Sequence, residues 1–184
     1  PGGYYSPYDN PRLEDGPEGE YLTNRLGDES LKFLESVHDK PFLLYLSFYT
    51  VHTPIQGCEE FDAHYREKKQ GLPNEGAVRT REEHRGETRL NQSNHKYAAM
   101  VRSMDKNVGR VLEKLEELEL EENTIIIFTS DNGGLTTTRN YGPTSVTPLR
   151  AGKGWCYEGG IRVPLIVKTP GKKKKKTSSY PVTS

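Results

Sequence analysis

Apolar residues recur at intervals of three and four from His95 to Leu120. Tyr97, Met100, Val101, Met104, Val108, Val111, Leu112, Leu115 and Leu118 share one side of a helix, with Asp105 and Lys106 on the other. The two methionines in this stripe read as core filler. Tyr21 to Val37 sets Leu22, Leu26, Leu31, Phe33, Leu34 and Val37 at mixed helical spacing, with Asp28 or a neighbour placed to cap the main helix. Other segments break this period. PFLLYLSFY, from Pro41, is almost continuously apolar and rich in aromatic residues, which predicts a strand buried on both faces. TIIIFTS, from Thr124, predicts a second buried strand, and Val163 to Val167 a third.

Helix, strand, helix, strand and strand again is the order of an α/β sheet with helices on its faces. Right-handed crossovers between parallel strands would gather the strand C-termini on one edge, where such sheets place ligands. Residues 1–20 are rich in Pro, Gly and Tyr without periodicity, and read as an irregular surface segment. Residues 55–94 carry charge and glycine with little apolar pattern, and read as a polar loop or insertion. Residues 171–184 form a Lys-rich loop and a truncated end, with five consecutive lysines at Lys172 to Lys176 read as a solvated turn.

Composition narrows the function classes. The 184 residues suffice for one domain, but only 32% are hydrophobic and 28% are charged, so a core must come from a few concentrated segments. Lys plus Arg and Asp plus Glu number 26 each, which gives no electrostatic case for nucleic acid as a partner. No apolar run approaches the length of a membrane span. The first residues, PGGYYSPYDNP, have neither the basic start nor the apolar core of a signal peptide, and they suggest an internal piece of a longer protein. Cys58 and Cys156, 98 positions apart and outside any CxxC, read as two free thiols. Asn91-Gln92-Ser93 matches the glycosylation triplet, a pattern common by chance.

The polar residues with chemistry cluster at predicted strand ends. Asp131 and Asn132 offer a carboxylate and an amide oxygen, which suit a hard cation such as Ca²⁺ or Mg²⁺, with an ordinary turn after a strand the preferred reading of the pair alone. Gly133 and Gly134 allow a sharp turn and room above the pair. His52, at the end of the first strand in Val-His-Thr-Pro, suits a general acid or an anion ligand, or is a satisfied polar residue. Lys153 stands between glycines in Ala-Gly-Lys-Gly-Trp, an accessible ammonium for a tetrahedral oxyanion. Arg162 is a second anion candidate, with an ion pair to Glu158 the preferred reading. His38, His64, His84 and His95 receive no role. Taken together, Asp131, Asn132, His52 and Lys153 describe a metal-assisted site for a tetrahedral anion.

KPFLLYLSFYTVHTPIQ, YAAMVRSMDKNVGRVLEKLEELELEENTIIIFTSDNGG and LRAGKGWCYEGGIRVPLIV resemble the formylglycine-dependent sulfatases of the alkaline phosphatase superfamily. The resemblance runs from about Glu20 to Pro170, apart from the polar insertion. It implies that residues 1–184 are part of a sulfatase catalytic domain, a partial alkaline-phosphatase-like sheet flanked by helices. The N-terminal strands and the C-terminal subdomain would be missing. Asp131 and Asn132 match Ca²⁺ ligands of the family, and Asp131 would lie beside the formylglycine hydrate. Lys153 matches a lysine that contacts the sulfate and the bridging oxygen. His52 matches a histidine that contacts the sulfate and protonates the leaving alcohol. The implied substrate is a sulfated small molecule or carbohydrate, and the implied compartment is periplasmic, extracellular or lysosomal.

The departures are equally definite. The family's nucleophile arises in a C/S-x-P/A-x-R motif, whereas Cys58 precedes Glu-Glu-Phe-Asp and Cys156 precedes Tyr-Glu-Gly-Gly. The family's first acidic metal pair, and the Lys and His that follow its nucleophile, have no counterpart. The remainder of the catalytic domain is therefore required, and the chain alone is expected to be inactive. The alternatives are a phosphodiesterase or phosphonate hydrolase on the same scaffold, and a degenerate binding or structural protein.

Overall fold

Asn94 starts the longest helix, α3 (His95–Glu117), by accepting the Tyr97 N–H on its side chain at 3.2 Å in this computed structural model. That satisfies one of the donors a helix start leaves open. The structure describes residues 3–84 and 86–171, which leaves the lysine run outside it. The chain divides into two units, Pro1–Gly76 with Asn94–Glu121, and Ala77–Ser93 with Glu122–Ser184.

In the first unit α3 packs against α1 (Leu22–Val37) and α2 (Glu59–Gln70). The predicted apolar stripe holds only in part. Met100 and Leu115 are buried, but so are Ser103 and Asn107, while Val101 and Leu112 are exposed. The polar pair is buried because it is satisfied: Asn107 Nδ2 donates to Asn24 Oδ1 at 2.8 Å, and Ser103 Oγ donates to the same oxygen at 3.2 Å. Gly27 lets α1 approach there, since a methyl group at that position would strike the Asn107 carboxamide.

Helix α1 begins earlier than Asp28 and has no side-chain cap. Tyr21 pairs with Tyr5 as an isolated bridge instead, and the Leu22 N–H donates to the Tyr4 carbonyl at 2.7 Å. The N-terminal segment is irregular, as its sequence indicates, but its tyrosines are not on the surface. Tyr4 and Tyr21 form the core with Cys58 and Met100, and Tyr5, Leu22, Val51, Ile55 and Phe61 pack around them. Burial pushes the Tyr4 phenol up to about 12 and raises that of Tyr21 further.

PFLLYLSFY is extended but joins no strand ladder with any described residue. Phe42, Leu44, Leu46 and Phe48 are half-buried, while Leu43 and Tyr45 are each 86% exposed. The predicted two-sided burial is therefore replaced by a one-sided contact with the period of two of extended backbone.

Residues 55–94 are not a loop. Helix α2 occupies part of them, with Glu59, Glu60 and Asp62 in its first turn and Lys68 and Lys69 in its last, so its charges complement the helix dipole. Further on lies a hairpin of the second unit, β1 (Thr80–Glu83) and β2 (Gly86–Arg89). Strand β3 (Ile126–Thr129) follows α3, and β4 (Thr137–Thr138) pairs antiparallel with β2. A short helix, α4 (Glu158–Ile161), precedes β5 (Leu165–Lys168). The β3–β5 pair is antiparallel, with Ile127 opposite Val167, rather than part of the expected parallel sheet. Its faces are open too, with Ile127 62% and Ile166 61% exposed. The fold is mixed α/β, built from small sheets with helices. No helix among the described residues is long and apolar enough to cross a membrane.

Two predictions arise from this packing. Exposed apolar surface of this kind drives association. The chain should bind anilinonaphthalene sulfonate and sediment as oligomers, and Leu43→Lys with Tyr45→Lys should reduce both. Unchanged dye binding would show that the surface lies elsewhere.

His95 supplies the second. Its Nε2 lies 3.4 Å from Asp62 Oδ1, and Arg66, Lys69 and Lys96 also act on it. Burial dominates and lowers its pKa from the usual 6.5. The unfolded chain therefore takes up the proton first as pH falls. The stability contributed is complete above the unfolded value and is lost as pH falls from there through the lowered folded value. The urea midpoint followed by helical circular dichroism should drop between about pH 7.5 and about pH 5.5, and His95→Gln should flatten that slope. An equal slope in the variant would remove His95 as its source.

Candidate functional site

The second unit brings two of the predicted segments together through their backbones. Strand β3 runs out through Ser130 into Asp131 and Asn132. The Ser130 hydroxyl donates to the Asn132 carbonyl at 2.9 Å, and the Asn132 amide donates to Asp131 Oδ1 at 3.1 Å. Asp131 is exposed and Asn132 half-buried. The Gly133 N–H then donates to the Gly160 carbonyl, and the Lys153 N–H to the Gly134 carbonyl, both at 2.9 Å. The strand end and the lysine loop are thus fastened to each other on either side.

Those bonds explain the double glycine. A methyl group on Gly133 would collide with the Gly159 carbonyl, so the position must lack a side chain. Neither Gly133 nor Gly134 is among the positive-φ residues, and the room expected above the pair is replaced at Gly133 by close approach of protein backbone.

Lys153 sits at the corner of a tight turn. The Trp155 N–H donates to the Gly152 carbonyl at 3.1 Å, and Gly154 takes φ +86 in the third position. A turn of this kind demands positive φ there, which explains the second glycine of Gly-Lys-Gly. The Gly159 N–H closes the loop by donating to the Arg150 carbonyl at 2.9 Å. Arg162 pairs with Glu158 at 3.3 Å, as its structural reading anticipated.

His52 belongs to the first unit and is exposed. Its Nδ1 lies 2.9 Å from the Thr53 carbonyl. A carbonyl only accepts, so Nδ1 carries the proton in that contact. The turn is held by buried Tyr4, whose hydroxyl lies 2.7 Å from the Tyr49 carbonyl and 2.9 Å from that of His52. Nothing in the aperiodic sequence around Tyr4 signals this support.

Two further features escaped the sequence reading. Buried Glu83 is gripped by Arg150 through Nη2 at 2.7 Å and Nε at 3.1 Å. Trp155 stacks on His84 and Tyr157. Cys58 and Cys156 are free thiols, the first buried and the second exposed. The Asn91 side chain is engaged, accepting from the Arg79 N–H and donating to the Ala77 carbonyl.

A hard cation favours six to eight oxygens. Asp131 and Asn132 fit it in kind but supply only two side chains. Among the described residues no group of three His, Cys, Asp or Glu side chains could hold a metal ion. The depressions of about 390 and 410 Å³ lie along α1 and α2 and are lined by none of the four candidate residues.

The acid–amide pair is thus fastened through backbone hydrogen bonds to the loop that carries the glycine-flanked lysine. The chain matches the Sulfatase family model over residues 2–184, and it belongs to that family. It is 39% identical over 172 residues to a sulfatase of Formosa agariphila, covering 88% of this chain and 27% of that protein. It is 37% identical over 156 residues to the steryl-sulfatase of Mus musculus, covering 81% and 20%. Among solved structures it is similar to Ps i-CgsB, with a TM-score of 0.65 and 31% identity over 87% of this chain and 30% of that one. The chain spans about a quarter of the length of the curated relatives it matches.

Replacing Gly133 with alanine should cost about 1–3 kcal/mol by forcing backbone apart. Gly109→Ala, in the open on α3, should instead stabilise by up to about 1 kcal/mol. Equilibrium urea unfolding of both variants gives opposite signs if backbone interlock is what selects glycine at Gly133.

Proposed function

We propose that the catalytic domain to which these segments belong hydrolyses sulfate esters. The observation that carries this is the family match, which spans a chain whose Asp131-Asn132 and Lys153 segments are hydrogen-bonded together. In this reading the Lys153 ammonium binds sulfate oxygens and balances charge that builds on the bridging oxygen as the ester bond breaks. His52, protonated on Nε2, gives its proton to the departing alcohol oxygen. Asp131 and Asn132 would hold part of the shell of a Ca²⁺ ion, which when bound offsets negative charge on the sulfate oxygens.

The nucleophile is assigned outside this sequence, because neither cysteine lies in the required motif. The chain by itself then does not turn over. A sulfated carbohydrate is the favoured substrate. A structural relative, Ps i-CgsB, has been solved in complex with k-i-k-neocarrahexaose. Work in a periplasmic, extracellular or lysosomal compartment fits this reading.

The test is the chain joined to its own upstream coding sequence. That sequence should carry C/S-x-P/A-x-R, and the joined protein should release 4-nitrophenol from its sulfate ester. Lys153→Ala and His52→Ala should each lower kcat/KM by about 100-fold or more, the scale of a lost charge-stabilising or proton-donating group. Faster hydrolysis of bis(4-nitrophenyl) phosphate would instead favour a phosphodiesterase.

A further inference from the structure

The β1–β2 hairpin ends in rings. Glu83 pairs with Gly86, so only two residues make the turn, and the first of them, His84, takes φ +48. Left-handed backbone costs energy in a residue with a side chain, and hairpins of this length impose it. The position holds an imidazole whose side chain is 54% exposed. That ring stacks on Trp155 with centroids 5.3 Å apart and planes at 16°, and its Nε2 lies 3.4 Å from the Tyr157 hydroxyl. Trp155 and Tyr157 are nearly parallel, at 17°. The Arg150 guanidinium lies 3.9 Å over the Tyr157 ring, and its grip on Glu83 anchors the hairpin to the lysine loop.

Trp155 closes the turn that has Lys153 at its corner, so the ring group is tied to the same loop two residues from Lys153. We propose that His84, Trp155 and Tyr157 form the wall that receives the sugar ring carrying the sulfate, and that the β1–β2 hairpin is thereby a specificity element. This rests on Lys153 as the sulfate ligand.

The chemistry of the wall selects the guest. Aromatic faces attract the C–H face of a pyranose by dispersion and burial. The Tyr157 hydroxyl and the His84 nitrogen stand at the ring edges, within reach of sugar hydroxyls. An aryl or steryl group would favour a dry apolar cleft. Here the rings are flanked by the Glu83–Arg150 ion pair, and His84 is open to water. A polyhydroxylated ring keeps both its faces and its hydroxyls satisfied against such a surface.

Trp155 is the sole tryptophan, so its emission reports the wall directly. The chain is titrated with a sulfated galactan tetrasaccharide, its desulfated counterpart and inorganic sulfate. The sulfated tetrasaccharide should shift the Trp155 emission and shield it from acrylamide, and inorganic sulfate should not shield it. His84→Asn keeps a residue that tolerates left-handed backbone but removes the ring face, and should weaken tetrasaccharide binding about fivefold. His84→Phe restores a stacking ring and should recover most of that loss, and inorganic sulfate should bind all three proteins alike.

Equal tetrasaccharide affinity in wild type and His84→Asn would overturn the wall. Absence of acrylamide shielding in the wild type would also overturn it, independently of any variant. If Lys153→Ala still abolished the preference for the sulfated sugar in either case, the sulfate reading would stand without the wall. Equal binding of sulfated and desulfated sugars, with His84→Asn still weakening both, would support the wall and sink the sulfate reading.

Discussion

Two backbone hydrogen bonds organise the second unit. Gly133 donates to Gly160, and Lys153 donates to Gly134. They join the end of β3 to a loop about twenty positions further along, and they do so without any side chain. Backbone contact this close is possible only where glycine removes the Cβ, as it does at Gly133. The same bonds fix where the chemistry stands. Asp131 and Asn132 leave the strand just before the first bond, and the Lys153 side chain leaves the corner just beyond the second. Side chains could vary around such a frame without moving these functional groups apart.

The legible parts of this protein are those in which a local rule and the tertiary structure agree. Helix α3 is written in its period and in Asn94, which caps it. Asp131-Asn132 and Gly-Lys-Gly were recognisable because strand ends and glycine-flanked lysines are short, local signals. The failures have a common cause. PFLLYLSFY reads as buried on both faces because hydrophobicity is all a sequence displays, yet burial needs a neighbour, and Leu43 and Tyr45 have none among the described residues. Burial of Ser103 and Asn107 has no local signal because their partner, Asn24, is far away in sequence. Tyr4 is invisible for the same reason, since its role depends on the carbonyls of Tyr49 and His52. The polar stretch 55–94 did carry one overlooked sign, acidic residues at one end of α2 and basic residues at the other.

Support for His52 illustrates how an irregular segment can be structural. The Tyr4 phenol is 2% exposed, and its raised pKa reflects that burial. Its hydroxyl reaches two carbonyls of one turn, so the turn is held from beneath while the imidazole stays at the surface. The Thr53 carbonyl then occupies Nδ1.

Charge balance constrains what the Asp131–Lys153 assembly can do. Lys153 contributes one positive charge, and Asp131 contributes one negative charge from the adjoining strand end. A dianion brought to such a pair meets a net charge near zero, which gives little attraction in water. The carboxylate would even oppose an anion at the lysine unless another positive charge lies between them. Hydrogen bonding between Asn132 and Asp131 orients the carboxylate but does not neutralise it. An oxygen-seeking cation, if bound there, would resolve this conflict by reversing the sign of the field at the strand end, with Asp131 as one of its ligands. In the proposed reading a Ca²⁺ ion held in part by Asp131 and Asn132 would offset that carboxylate, with its other ligands coming from beyond these two residues.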